Sequence, residues 1–274
     1  VRTHFLSGMI PQKQELKLSD AKVGPVVYDN KIWVMTQTAL KVAEMDKSDN
    51  FVWTADSIVY DKELETANFD KFNPTDMAIC GNDENASLVM VGENGNWMTR
   101  AVGGTKVAKL KVSAADKHFR VVCTDMDKDG SQEVVLVGSR GTVVASTLTG
   151  DDKVAKSFWT EKKYKRGAAG TSGLNDETSG IAVGDVNDDG YPEIVFLGDN
   201  LVYALDRFGL PLKNFPAVIS RGTPIYGFFS DPLVVDVNGD DTPEILVPSN
   251  DGLVYAFTGK GSQVKDGFPI AAGS

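Results

Sequence analysis

Histidine and cysteine are nearly missing from this 274-residue chain, which holds only His4, His118, Cys80 and Cys123. Zinc centres and His-based triads need such residues at short spacing. No His-x-x-x-His, Cys-x-x-Cys or Gly-x-Ser-x-Gly pattern occurs. No apolar run reaches the ~18 residues of a spanning helix, so no membrane span is expected. Basic residues are outnumbered, 28 Lys and Arg against 38 Asp and Glu, giving a net charge of −10. That balance argues against nucleic acid, which is gripped by clustered positive charge. Gly259-Lys260-Gly261 lacks the spacing and the trailing Ser or Thr of a phosphate loop, and reads as a turn. No catalytic constellation stands out, and a binding module is favoured over an enzyme.

One acidic pattern occurs three times. It runs Asp125-Met-Asp127-Lys-Asp129-Gly130-Ser131-Gln-Glu133, then Asp185-Val-Asn187-Asp-Asp189-Gly190-Tyr191-Pro-Glu193, then Asp236-Val-Asn238-Gly-Asp240-Asp241-Thr242-Pro-Glu244. Side-chain oxygens at positions 1, 3 and 5, a carbonyl at 7 and a later carboxylate suit a hard cation of calcium size. An EF-hand places its Glu at position 12, between helices. Here Glu stands at position 9, and apolar β-branched runs follow: Val134 to Val137, Ile194 to Leu197 and Ile245 to Val247. Phe119 to Cys123, Ile181 to Val183 and Leu233 to Val235 precede the loops in the same style. These short apolar runs read as buried strands, so each loop is a strand–loop–strand connection.

The repetition extends past the loops. Gly141 to Ala145, Leu201 to Leu205 and Leu253 to Phe257 form a third strand, and the motif starts lie 60 and 51 residues apart. A period of this size with about four strands per unit is the signature of a β-propeller blade. Two earlier units follow the plan without the ligands. One contains Met77 to Cys80, a Gly81 to Asn85 turn, Leu88 to Gly92 and Asn96 to Thr99. The other contains Gly24 to Tyr28, Lys31 to Met35 and Ala39 to Ala43. The expectation is an all-β propeller domain with five blades near 24–57, 58–114, 115–165, 178–222 and 230–274. The run at Phe268-Pro269-Ile270 repeats Phe215-Pro216. It is compatible with a piece of a larger propeller or with a ring closed by the N-terminal residues.

These loops, each followed by strand residues such as Leu-Val-Tyr-Ala, resemble the FG-GAP/VCBS repeats of integrin-alpha-type β-propellers. The resemblance covers roughly 115–274. It implies that the loops bind calcium, about three ions in all. The implied ligands are Asp125, Asp127, Asp129, the Ser131 carbonyl and Glu133; Asp185, Asn187, Asp189, the Tyr191 carbonyl and Glu193; and Asp236, Asn238, Asp240, the Thr242 carbonyl and Glu244. Asp241 departs from the pattern, where Gly usually takes a left-handed conformation that Asp tolerates better than most residues. Three bound calcium ions would take the net charge from −10 to −4.

The expected function is a calcium-binding adhesion or ligand-binding module for a protein or glycan, in an extracellular, cell-surface or periplasmic setting where weak calcium sites fill. No signal peptide stands at Val1, as expected for a chain that begins after one is cleaved. The alternatives are the propeller of a secreted polysaccharide lyase and a structural spacer in a surface protein. Trp33, Trp53, Trp97 and Trp159 are read as blade cores, with a sugar-stacking platform as the alternative. Lys162 to Arg166 and the Gly- and Ser-rich stretch to Gly180 form a long inter-blade loop, the first candidate for partner contact. Cys80 and Cys123 occupy matching places in adjacent units, usually too far apart to bond, and are read as buried free thiols with a disulfide as the alternative.

Overall fold

The computed structural model describes residues 18–48, 50–54, 58–59, 72–81, 86–101, 107–111, 118–139, 141–147, 157–163, 180–198, 201–218, 231–249 and 251–271. They form five antiparallel sheets, each a meander in chain order. The first sheet holds β1 (Ala21–Tyr28), β2 (Lys31–Thr36), β3 (Ala39–Met45) and β4 (Phe51–Trp53), with β5 (Ile58–Val59) also pairing β3. The second holds β6 (Pro74–Cys80), β7 (Ser87–Gly92), β8 (Asn96–Ala101) and β9 (Val107–Lys111). The third holds β10 (Phe119–Thr124), β11 (Glu133–Gly138), β12 (Thr142–Thr147) and β13 (Ser157–Lys163). In the fourth are β14 (Ile181–Gly184), β15 (Glu193–Gly198), β16 (Leu201–Leu205) and β17 (Ala217–Val218). The fifth has β18 (Leu233–Val235), β19 (Glu244–Pro248), β20 (Leu253–Phe257) and β21 (Ile270–Ala271). Among the described residues a 3-10 turn at Glu93–Gly95 is the sole helical piece.

Stacking follows from the two-residue period of a strand. Every residue of β15 is buried, the mark of a strand covered on both faces. Its Ile194 and Phe196 pack with Val135, Val137 and Val143 of the third sheet. Its Val195 and Leu197 turn the other way, onto Ile245, Val247, Tyr255 and Phe257 of the fifth. Similar clusters join the first sheet to the second (Trp33, Met35 and Leu40 with Met77 and Met90) and the second to the third (Val89 and Trp97 with Phe119 and Leu136). Each boundary thus carries its own core, and the first strands β1, β6, β10, β14 and β18 touch in succession. This is a β-propeller arrangement of four-stranded blades. Phe196 also stacks on Tyr203, with ring centroids 4.8 Å apart. Truncating Phe196 to Ala would cost about 3–5 kcal/mol as a core cavity.

One expectation changes. Cys80 and Cys123 are not free thiols but form a disulfide, with Cα atoms 5.4 Å apart. Both lie on first strands, β6 and β10, which converge between neighbouring blades, so matching positions fall within bonding reach. Trp33 and Trp97, each 3% exposed, sit in the inter-blade cores, as expected. Trp53 is half-buried on β4. The side chain of Trp159, His4 and the 164–179 portion of the basic, Gly-rich segment lie outside the described residues.

Candidate metal centres

Each acidic loop joins the first and second strands of its blade, between Thr124 and Glu133, Gly184 and Glu193, and Val235 and Glu244. The loop folds around its first Asp. In the first copy the N–H groups of Asp129 and Gly130 donate to Asp125 Oδ1 (3.1 Å) and Oδ2 (2.9 Å), and Ser131 N–H donates to Asp129 Oδ1 (2.7 Å). In the second, Asp189 and Gly190 donate to Asp185 Oδ1 (3.1 Å) and Oδ2 (2.7 Å), and Tyr191 to Asp189 Oδ1 (2.9 Å). In the third, Asp241 donates to Asp236 Oδ2 (3.0 Å) and Thr242 to Asp240 Oδ1 (2.9 Å), while Gly239 replaces Asp240 as the donor to Asp236 Oδ1 (2.7 Å).

Two loop positions are left-handed in every copy. Position 4 is Lys128, Asp188 or Gly239, and position 6 is Gly130, Gly190 or Asp241. Asp241 takes φ 66°, so its departure from glycine keeps the turn. The third loop has simply exchanged the places of glycine and a bulkier residue.

The Glu at position 9 is the first residue of the second strand and is buried in all three copies (Glu133, Glu193 and Glu244). A carboxylate removed from water needs hydrogen bonds or a counter-charge. One bond comes from position 2, where the N–H of Met126, Val186 or Val237 donates to the Glu Oε2 at 2.9, 3.0 and 3.2 Å. Burial pushes the Glu193 carboxyl up to about 8; the Val186 N–H opposes this, and the charges of Asp189 and Asp185 add to it. Burial likewise raises Glu133, with Asp127, Asp129 and Asp125 adding to the rise. At the exposed end of the third loop the sign reverses. The Gly239 N–H, with those of Asp241, Asn238 and Asp240, holds Asp236 below the usual carboxylate range.

Position 3 separates the copies. Asp127 brings a third carboxylate beside Asp125 and Glu133, and one oxygen from each lies within 4.8 Å of the others. In the second loop Asn187 Nδ2 donates to Asp189 Oδ2 (3.2 Å) and Glu193 Oε1 (3.1 Å). Asn238 does the same to Asp240 Oδ2 (3.1 Å) and Glu244 Oε1 (2.9 Å). The first loop therefore gathers negative charge without a donor at position 3, and this oxygen-only set suits a hard divalent cation.

Sequence reasoning passed over position 2. Met126 and Val186 are fully buried in the inter-blade cores and anchor their loops to the stack. The signal for it was an apolar residue there in all three copies. It also passed over Arg207, whose guanidinium lies 3.9 Å from the centroid of the Tyr191 ring.

Residues 125–196 match the FG-GAP-like repeat family. This stretch carries the FG-GAP-like repeat. No curated protein matches it at a significant level. Among solved structures it is similar to BamB from Moraxella catarrhalis (12% identity, TM-score 0.54, covering 89% of this chain and 63% of that one). It is similar to BBS1N in complex with ARL6DN (12%, TM-score 0.54, covering 86% and 62%). Saccharomyces cerevisiae Sqt1 is a third (8%, TM-score 0.58, covering 86% and 58%). At such identities the likeness speaks for the fold alone, and the chain spans less than two thirds of each of these structures.

Proposed function

We propose that this chain is a calcium-binding β-propeller module that docks protein ligands in an extracellular, cell-surface or periplasmic setting. The observation that carries the calcium reading is the convergence of Asp125, Asp127 and Glu133 on one point. Their charge, with Glu133 buried, calls for a cation. Asp129 and the Ser131 carbonyl complete the first set. Asp185, Asn187, Asp189, the Tyr191 carbonyl and Glu193 make the second, and Asp236, Asn238, Asp240, the Thr242 carbonyl and Glu244 the third. The ions serve structure: each ties two strands of a blade and offsets repulsion within its loop.

Protein docking is supported by the fold, a rigid scaffold with its loops on the surface. One structural neighbour, BBS1N, was solved in complex with a protein, ARL6DN. Among the described residues no helix is long and apolar enough to cross a membrane. Calorimetric titration of the metal-stripped chain with calcium tests the reading. Up to three sites are expected, the first loop being the tightest because it has the most carboxylates. No heat and no change in melting at saturating calcium would overturn it.

A further inference from the structure

The turn from the third to the fourth strand has the same build in three blades. The N–H of Asp46, Asp206 or Thr258 donates to the carbonyl four residues on, at 2.7, 2.8 and 2.9 Å. In the fourth blade Asp206 Oδ1 also accepts from the N–H groups of Phe208 and Leu210, both at 2.9 Å, and Gly209 closes the turn at φ 70°. A turn held in this way presents its two tip residues rigidly. The tips are Lys47-Ser48 in the first blade, Gly259-Lys260 in the fifth and Arg207-Phe208 in the fourth.

The fourth blade alone places a guanidinium there against aromatic rings. Arg207 Cζ lies 3.9 Å from the Tyr191 ring centroid and 4.8 Å from that of Phe208. Lys128, from the third blade's acidic loop, sets its Nζ 5.7 Å from the same Tyr191 ring. Tyr191, Arg207, Phe208 and Leu210 correspond to Thr242, Gly259, Lys260 and Ser262 in the fifth blade. The blade plan therefore demands none of the four. Phe208 is 57% exposed and Leu210 50% exposed, so two neighbouring apolar side chains of one turn face water beside the guanidinium. Among the described residues no hydrogen bond or ion pair occupies the Arg207 guanidinium. The cation–π contact keeps the guanidinium over the Tyr191 ring, and no described residue takes its N–H donors.

Arg and aromatic residues side by side, rimmed by polar groups, are the composition of a binding hot spot. We infer that Tyr191, Arg207, Phe208 and Leu210, with Lys128 at the rim, form a docking site for a protein segment carrying a carboxylate beside apolar side chains. The inference rests on the protein-docking reading and names the chemistry of the partner. The carboxylate takes the free fork of Arg207, with Lys128 close by as a second positive charge. The apolar neighbours cover Phe208 and Leu210. An acidic glycan would satisfy Arg207, but it would leave Leu210 uncovered. The peptide is therefore the better fit.

The test uses the full chain with calcium, followed by NMR at the Arg207 side chain and the Phe208 ring. The probes are the capped peptide Leu-Glu-Leu, its Gln counterpart and a galacturonic acid trimer. The Glu peptide should give a saturable shift at both residues, with at least tenfold weaker response to the Gln peptide. Arg207→Ala should abolish the response without changing the melting temperature, and Arg207→Lys should weaken it at least fivefold because the fork is lost. Phe208→Ala should weaken it severalfold. Equal response to Glu and Gln, persistence in Arg207→Ala, or a stronger response to the galacturonic acid trimer would each overturn the site. Calcium binding is read by calorimetry on the same sample. Calcium bound without peptide response refutes this site alone, whereas absent calcium binding refutes the calcium reading, and the peptide response still decides the site.

Discussion

The first and third blades solve one problem in two ways. β1 turns into β2 through Asp29-Asn30 alone, two left-handed residues (φ 49° and 55°) between the paired Tyr28 and Lys31, a minimal hairpin turn. β10 turns into β11 through the whole stretch from Asp125 to Gln132, yet the strands on either side pair in the same antiparallel way, Thr124 opposite Glu133. The long acidic loop is thus not needed to reverse the chain. A loop that crowds carboxylates and buries a Glu destabilises the metal-free fold, so its presence in the third, fourth and fifth blades points to a compensating cation. The first blade's connection carries a single carboxylate, Asp29, and residues 82–85 of the second blade's turn lie outside the described residues. On the proposed calcium reading the molecule divides into three blades with acidic loops and two without, and the Cys80–Cys123 disulfide joins the two groups at their boundary.

Stripping the metal puts this division under the greatest stress. At hundredfold excess over Kd each ion stabilises by about 2.7 kcal/mol, so three together outweigh the loss of any one ligand. Excess chelator should lower the melting temperature, and hydrogen exchange should rise in β10–β21 before β1–β9. Uniform loosening of both groups, or an unchanged melting curve, would dissolve the distinction.

Cutting the covalent link comes next. The bridge closes 43 residues, and chain entropy alone assigns it about 4 kcal/mol. The Cys80→Ser, Cys123→Ser double variant should melt at lower temperature and should separate the calcium-dependent transition from the calcium-independent one in calorimetry. A single transition as cooperative as before would show that the inter-blade core at Phe119 and Leu136 couples the two groups without help.

Removal of one charged ligand should have a smaller effect. Asp185→Ala should abolish one calorimetric site and shift melting by about a third of the chelator effect, near 2.7 kcal/mol under the same excess. Asn187→Ala should shift it less, because a neutral donor to Asp189 and Glu193 is lost rather than a charge. Equal effects from the two variants would count against direct coordination by Asp185.

The smallest effect tests the blades without acidic loops through pH. Asp76, on β6, is raised above its ordinary 3.8 because burial outweighs the nearby Arg120 and the Val121 N–H. The folded chain therefore holds that proton more tightly than the unfolded one. The contribution to stability is complete below pH 3.8 and is lost as pH rises through the raised value. Asp76→Asn should flatten the acid side of a melting-versus-pH curve, with or without calcium. A slope unchanged by the substitution would mean that other groups set it.

Much of this was legible in residues alone. The apolar runs at Val134–Val137, Ile194–Leu197 and Ile245–Val247 appear as second strands, because fully buried strands need unbroken β-branched residues. The all-β fold and the FG-GAP-like repeat could be read from loop spacing together with what followed each loop. The disulfide could not, since bonding depends on how closely two first strands approach. Trp33 and Trp97 were expected in blade cores and lie there, although a core Trp differs from a platform one only in what packs on it. The Arg207 stack joins residues 16 positions apart, and no pattern along the chain foretells it.

Properties that depend on neighbours along the chain are written in the residues themselves: strand period, turn chemistry, the oxygen donors of each loop and the repeat that brings blades of one kind together. Properties that depend on which faces meet came from the packing of the blades. Packing converted an acidic stretch into a set of carboxylates that converge around a buried Glu, placed Cys80 against Cys123, and laid Arg207 between two rings on a surface turn. The physical reason is range. Backbone propensity and side-chain alternation act over a few residues, whereas burial, charge convergence and bonding reach arise only once separate blades stack.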